Sequence, residues 1–136
     1  MKKIFIILFF CAFLQPAVKA QSVEYSNLTW AVTGFHNNGN NEDVTLASRF
    51  ETSPQLIKWV QKSGSMVYDF TVTGKTGSWT DLNADGEITF HVTLRDKSGT
   101  IRFARQQGRI TIEPNILKEG RNMLPYVFTV STITTR

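Results

Sequence analysis

Ile88, Phe90, Val92 and Leu94 alternate with Glu87, Thr89, His91, Thr93 and Arg95. In an extended chain these two sets point to opposite faces. One face is hydrocarbon and the other wettable, the pattern of an antiparallel sheet covered on one side. The same period of two recurs along the chain. Leu28, Trp30 and Val32 form one run, and Val44 and Leu46 open another that reaches Phe50. Met66, Tyr68, Phe70 and Val72 oppose Asp69, Thr71 and Thr73; Ile101 and Phe103 oppose Thr100 and Arg102. Ile110 and Ile112 form a short run, and Leu124, Tyr126, Phe128 and Val130 form the last. The wet positions are rich in Thr, which suits a pleated, half-buried surface.

Residues 54–62 admit two readings. Ser53-Pro54 can start a short helix with Leu56, Ile57 and Val60 on one side. Alternatively Ile57 and Trp59 share one face of a strand that turns at Lys62-Ser63-Gly64. The clustering of Ile, Trp and Val before a turn favours the strand.

Ser63-Gly64, Lys97-Ser98-Gly99 and Gln107-Gly108 are short links, so the runs they join are expected to pair as hairpins. Residues 34–42, 74–86 and 114–123 are longer connections. Short links keep a chain in one sheet, and longer ones let it cross to a facing sheet. The mixture favours an all-β antiparallel sandwich of about seven to eight strands. A small up-and-down β-barrel is the alternative, because eight strands of this length also close.

The first twenty residues follow a different rule. Met1-Lys2-Lys3 is charged, residues 4–14 are almost unbroken hydrocarbon, and Val18 and Ala20 stand at −3 and −1 of a cut before Gln21. This is the layout of a bacterial-type secretory signal peptide, with an apolar run too short to span a membrane comfortably. Residues 1–20 are thus expected to be removed, leaving 21–136 as one exported domain, periplasmic or extracellular, with no transmembrane segment. Cys11 permits a rival, lipid anchoring of the new N-terminus, but Phe10 stands where such sites have a small residue. The signal type also gives the acceptor Asn27-Leu28-Thr29 little weight as a glycosylation site.

Removing Lys2, Lys3 and Lys19 from the 15 basic residues leaves 12 against 11 acidic ones. A chain so near neutrality lacks the basic excess that phosphate neutralisation demands, which excludes nucleic acid as a partner. Cys11 is the single cysteine, so residues 21–136 have no thiol, disulfide or cysteine ligand. Apolar burial alone must hold them, and a chain of roughly this size buries about two thirds of its unfolded surface.

Asp81-Leu82-Asn83-Ala84-Asp85-Gly86-Glu87-Ile88 is the sharpest local motif. It resembles the opening of an EF-hand calcium loop, with oxygen side chains at the first, third and fifth places. The twelfth place is Val92 and a strand pattern follows, so a complete EF-hand is excluded. One remaining reading is a weak Ca²⁺ site formed by Asp81, Asn83, Asp85 and the Glu87 carbonyl. The favoured one is a turn in which Asp85-Gly86 supplies a positive φ and Asp81 and Asn83 bond nearby amides. No other cofactor is implied.

Neither His36 nor His91 has metal-ligand spacing, and no nucleophile or phosphate-loop motif occurs. A cross-strand His91–Asp69 pair is conceivable; a solvated histidine is the simpler reading. A carboxylate pair drawn from Asp69, Asp81, Asp85, Glu87 and Glu113 would have to flank a cleft. Arg105 shares parity with Ile101 and Phe103, so it either extends over the core rim or stands at a pocket mouth, ready for a carboxylate or phosphate. Trp30, Trp59, Trp79, Phe35, Tyr25 and Tyr126 either fill the core or form a sugar-stacking platform. Phe35 and Trp79 are the surface candidates because they fall in long connections.

The leading expectation is non-catalytic recognition of a ligand, glycan or protein partner through long loops, with Phe35, Trp79 and Arg105 as contacts. The alternatives are a small carboxylate hydrolase built around residues 81–87, and an assembly subunit pairing through residues 124–134 at a sheet edge.

Overall fold

A computed structural model describes residues 21–136. The expected export signal and Cys11 lie outside the described residues. The alternating runs become β1 (Leu28–Asn37), β2 (Glu42–Thr52), β3 (Leu56–Gln61), β4 (Met66–Ser78), β5 (Gly86–Leu94), β6 (Lys97–Gln106) and β7 (Arg109–Lys118). A two-residue β8 (Arg121–Asn122) and the long β9 (Tyr126–Thr135) complete the set. Residues 56–61 are strand, as the Ile, Trp and Val cluster implied.

From β1 to β7 each strand pairs antiparallel with the next, and β9 pairs with both β7 and β1. The sheet therefore closes as an eight-stranded up-and-down barrel, rather than dividing into the favoured sandwich. The reason lies in the connections. β1 runs on to Asn37, β4 to Ser78 and β7 to Lys118, so most of the expected long loops are strand. Too little chain remains to cross between sheets, and neighbour pairing plus closure is the solution left.

One hairpin turn also moves. Leu94 faces Lys97 in the register, so the turn is Arg95-Asp96, with Arg95 at φ 57°. Gly99 sits inside β6, where any Cβ would run into the Asn115 carbonyl of β7.

Alternation fills the bore. Trp30, Phe50, Phe70, Phe90, Phe103 and Phe128 are buried with Leu28, Ile57, Ile88, Ile101 and Ile112. Eight strands leave an interior just wide enough for such side chains to occupy. Their rings meet edge to face and tilted, as at Trp30–Phe103 (4.8 Å) and Phe50–Phe128 (5.0 Å). Trp30 Nε1 donates to the buried Thr52 hydroxyl at 2.9 Å, so the indole enters the core with its one donor satisfied.

The barrel's two ends differ. At the end where β1 begins, the chain before it folds over as a short 3₁₀ turn, Val23–Tyr25. Val23 N donates to Trp79 O at 2.9 Å, and Leu82 N to Gln21 O at 3.2 Å. Trp79 N donates to Glu24 Oε1 at 3.0 Å. This end is plugged. The other end, where β1, β3, β5 and β7 finish, has only hairpin turns and residues 123–125 over it.

The closing seam is short. β7 and β9 pair only at Ile110–Val130, Thr111–Thr129 and Ile112–Phe128. Toward the open end Asn122 takes over from the missing ladder. Its Oδ1 accepts from Ile116 N (3.1 Å) and Leu124 N (2.9 Å), and its Nδ2 donates to Pro114 O (3.1 Å). The free edge expected over 124–134 is thus corrected: β9 is paired along β1 throughout and along β7 at the seam. On the β7 side, residues 126–127 and 131–135 have no strand partner among the described residues.

Candidate functional site

Trp79 is 1 % exposed. It lies just after β4, yet its ring turns into the plug, 5.8 Å from Trp30. Nε1 donates to two carbonyls, Asp81 O at 2.8 Å and Ala84 O at 3.0 Å. The sequence expectation of a surface platform is therefore corrected at Trp79. An indole surrounded by unpaired carbonyls of its own loop is better satisfied inward than on water. Phe35 is likewise not in a loop. It belongs to β1, half-buried, with its ring 4.4 Å from Tyr126 and 5.3 Å from Phe128.

The 81–87 segment is a turn, but of the expected details only the Asp81 bond to a nearby amide is present. Asp81 Oδ1 accepts from Asn83 N at 2.9 Å, an Asx turn. Asp85 points away, accepting from Gln107 N (2.9 Å) and Gly108 N (3.4 Å) of the β6–β7 hairpin. Glu87 lies on the outer wall, ion-paired with Arg102, which also reaches Glu113 at 3.5 Å. The oxygens that a calcium site would need thus diverge, while Glu87 and Glu113 share the Arg102 guanidinium on the outer wall. No group of three or more His, Cys, Asp or Glu side chains converges among the described residues. Gly86 is not at positive φ; the loop needs glycine there because a Cβ would run into the Trp79 ring.

The histidines are engaged locally. His36 Nδ1 meets Asp43 Oδ1 at 2.7 Å, and His91 Nε2 meets Thr76 Oγ1 at 2.8 Å. The conceived His91–Asp69 pair is not formed; Asp69 faces Lys58 at 3.9 Å. Arg105 does stand in a depression. It lines a groove of about 310 Å³ with Gln21, Leu82, Asn83, Ile110 and residues 131–135. Its Nη1 donates to Leu82 O at 2.9 Å, while Nε is buried with no hydrogen-bond partner.

A larger cleft, of about 590 Å³, opens at the unplugged end. β4 begins at Met66, but its pairing with β5 starts only at Thr71. Residues 66–70 therefore overhang, bonded to β3 alone, and leave a notch in the wall. Tyr68 and Leu94 form its apolar lining with Met66 and Met123, and Asp69, Arg95 and Lys97 stand around it. Tyr68 shares parity with buried Phe70 and stacks 5.5 Å from Trp59, so the notch is backed by the barrel's own aromatic core. Asp69 is held by Lys58, and Lys97 by Asp96 at 3.1 Å. Arg95 has no ion pair among the described residues.

The exposed hydrophobics follow the same geography. Val44, Met66, Val67, Leu117 and Met123 are each 36–46 % exposed, and all five belong to the open end. Tyr25 is the exception, at the plugged end under Lys75 Nζ, 4.7 Å from the ring centroid. The sequence analysis missed this cleft. Its one visible trace was the Met66-Val67-Tyr68 run, apolar on both parities, a pattern that Trp30-Ala31-Val32 and Tyr126-Val127-Phe128 share.

Compared with known proteins, the chain matches no family model, no curated protein and no solved structure.

Proposed function

We propose that the chain is an exported, non-catalytic binding barrel that takes a small amphipathic molecule, apolar in body and anionic at one end, in the cleft at its open mouth. One observation carries the reading: five of the six large exposed hydrophobics among the described residues gather at one barrel end, and Met66, Val67 and Met123 of them line a cleft backed by Tyr68 and Leu94. Its volume falls within the range of small-molecule sites, which favour barrel mouths. Arg95, which has no ion pair among the described residues, supplies the cationic side, so an anionic group meets complementary charge there.

The filled bore limits how much of a ligand enters. Burial of about six methylene groups at ~0.8 kcal/mol each places the affinity in the sub-millimolar class. A sugar-stacking platform has less support, because it needs flat exposed indoles and Trp79 lies in the plug. The hydrolase reading has less still, since the 81–87 carboxylates serve turns and ion pairs.

The test is titration with dodecanoate and with dodecylamine at neutral pH, followed by calorimetry and by amide NMR shifts. Dodecanoate is expected to bind and to shift Met66, Tyr68, Leu94 and Met123. Tyr68→Ala should weaken it roughly tenfold, and Arg95→Glu should reverse the preference between the two chains. Shifts confined to other surfaces would overturn the site, and equal affinity for both amphiphiles would overturn its charge selectivity.

A further inference from the structure

At the plugged end, β9 runs on after β7 has turned away. The β7–β9 ladder ends at Ile110–Val130, and the hairpin turn Gln107-Gly108 follows at once on the β7 side. Residues 131–135 are paired with β1 on one side, and no strand bonds them on the other among the described residues. Their backbone groups on that side form a ready template for one more strand.

This edge borders the groove that holds Arg105. The loop residues Leu82 and Asn83 form the opposite wall, so an inserted chain would lie between edge and loop. Ile110 and Ile133 give the groove its apolar contacts. Arg105 Nε is buried without a hydrogen-bond partner and forms an ion pair with Asp85 Oδ1 at 3.8 Å, too long for a hydrogen bond. Asp85 is shared with the 107–108 amides and Nη1 donates to Leu82 O, so Nη2 is the guanidinium nitrogen with neither a hydrogen bond nor an ion pair among the described residues.

We infer that residues 131–135 take an extended peptide as an added strand, anchored by an acidic side chain on Arg105. Main-chain bonds to β9 supply sequence-independent affinity, and the carboxylate on the guanidinium supplies choice. The narrow groove between edge and loop favours a free segment over the β9 of a second copy, which carries a barrel wall beside it. This site lies at the opposite end from the proposed cleft and stands without it.

The test uses isotope-labelled protein and two acetylated, amidated peptides, Thr-Val-Thr-Glu-Thr-Val-Thr and its Gln twin. With millimolar Glu peptide, amides within 131–135 should shift and gain protection from exchange, and the Gln twin should bind roughly tenfold more weakly. Arg105→Gln should make the two peptides equal, while Arg105→Lys keeps the Glu preference and controls for loss of fold. No shift at 131–135, or equal binding of both peptides by the unaltered protein, would overturn the inference. So would acetate alone reproducing the shifts, or concentration-dependent shifts of 131–135 without peptide, the signature of self-pairing.

Discussion

Gly86 lies against the indole of Trp79: a Cβ built on Gly86 would stand 2.6 Å from Trp79 Cδ1 and 3.0 Å from Cγ. Real Cβ atoms do not approach a ring so closely, so the first residue of β5 and the plug's main side chain fit only while position 86 has no side chain.

Gly86→Ala should therefore destabilise the barrel by about 1–3 kcal/mol, the usual range for overpacking a buried site. The indole is trapped by two carbonyls and cannot step aside cheaply. Chemical denaturation read by tryptophan fluorescence checks this. An unchanged midpoint would show that the ring has room to move.

Trp79 itself separates ring burial from hydrogen bonding. Trp79→Phe keeps most of the apolar contact with Trp30 but leaves the Asp81 and Ala84 carbonyls without their donor. That change should cost about 1–3 kcal/mol. Trp79→Ala should cost about 3–5 kcal/mol by opening a cavity. Equal losses in the two variants would mean that the indole N–H contributes all of the effect.

The alternating run from Ile88 to Leu94 was legible because every residue in a barrel wall faces either bore or water. The parity of Arg105 with Phe103 was legible for the same reason, and it led to a groove. Closure was not legible. It depends on the register between β1 and β9, residues about a hundred apart, and no local pattern encodes that. Trp79 was misplaced because the segment after β4 has no period, so nothing separates an inward indole from an outward one. The mouth cleft was hidden by a mismatch of lengths: Met66 overhangs only because β5 stops at Leu94.

Asn122→Ala should cost about 1–3 kcal/mol, although the residue sits in a two-residue strand. One side-chain amide serves Ile116, Pro114 and Leu124, where β7 and β9 no longer bond directly. Hydrogen exchange should show the amides of Ile116 and Leu124 losing protection first. Uniform loss of protection across the barrel would contradict a local role.

Asp96 accepts from Lys97 Nζ, and this hydrogen bond holds its carboxyl below the ordinary value of 3.8, with help from the Lys97 charge. A lowered value in the folded state stabilises the fold above pH 3.8 and ceases to do so as pH falls through the folded value. The pair is exposed, so the NMR titration of the Asp96 carboxyl is the readout rather than the melt. Its midpoint should lie below 3.8 and return toward 3.8 in Lys97→Ala. A midpoint at or above 3.8 in the unaltered protein would remove the pair from the account.

Because β1 is zipped to β9, the earliest strand to be synthesised waits for the latest. A chain emerging from its N-terminus can assemble every hairpin in passing, yet it remains an open ribbon with two raw edges until residue 135 arrives. Completion is thus a single late event. A chain cut short by even one strand would face its surroundings as sticky, half-made sheet.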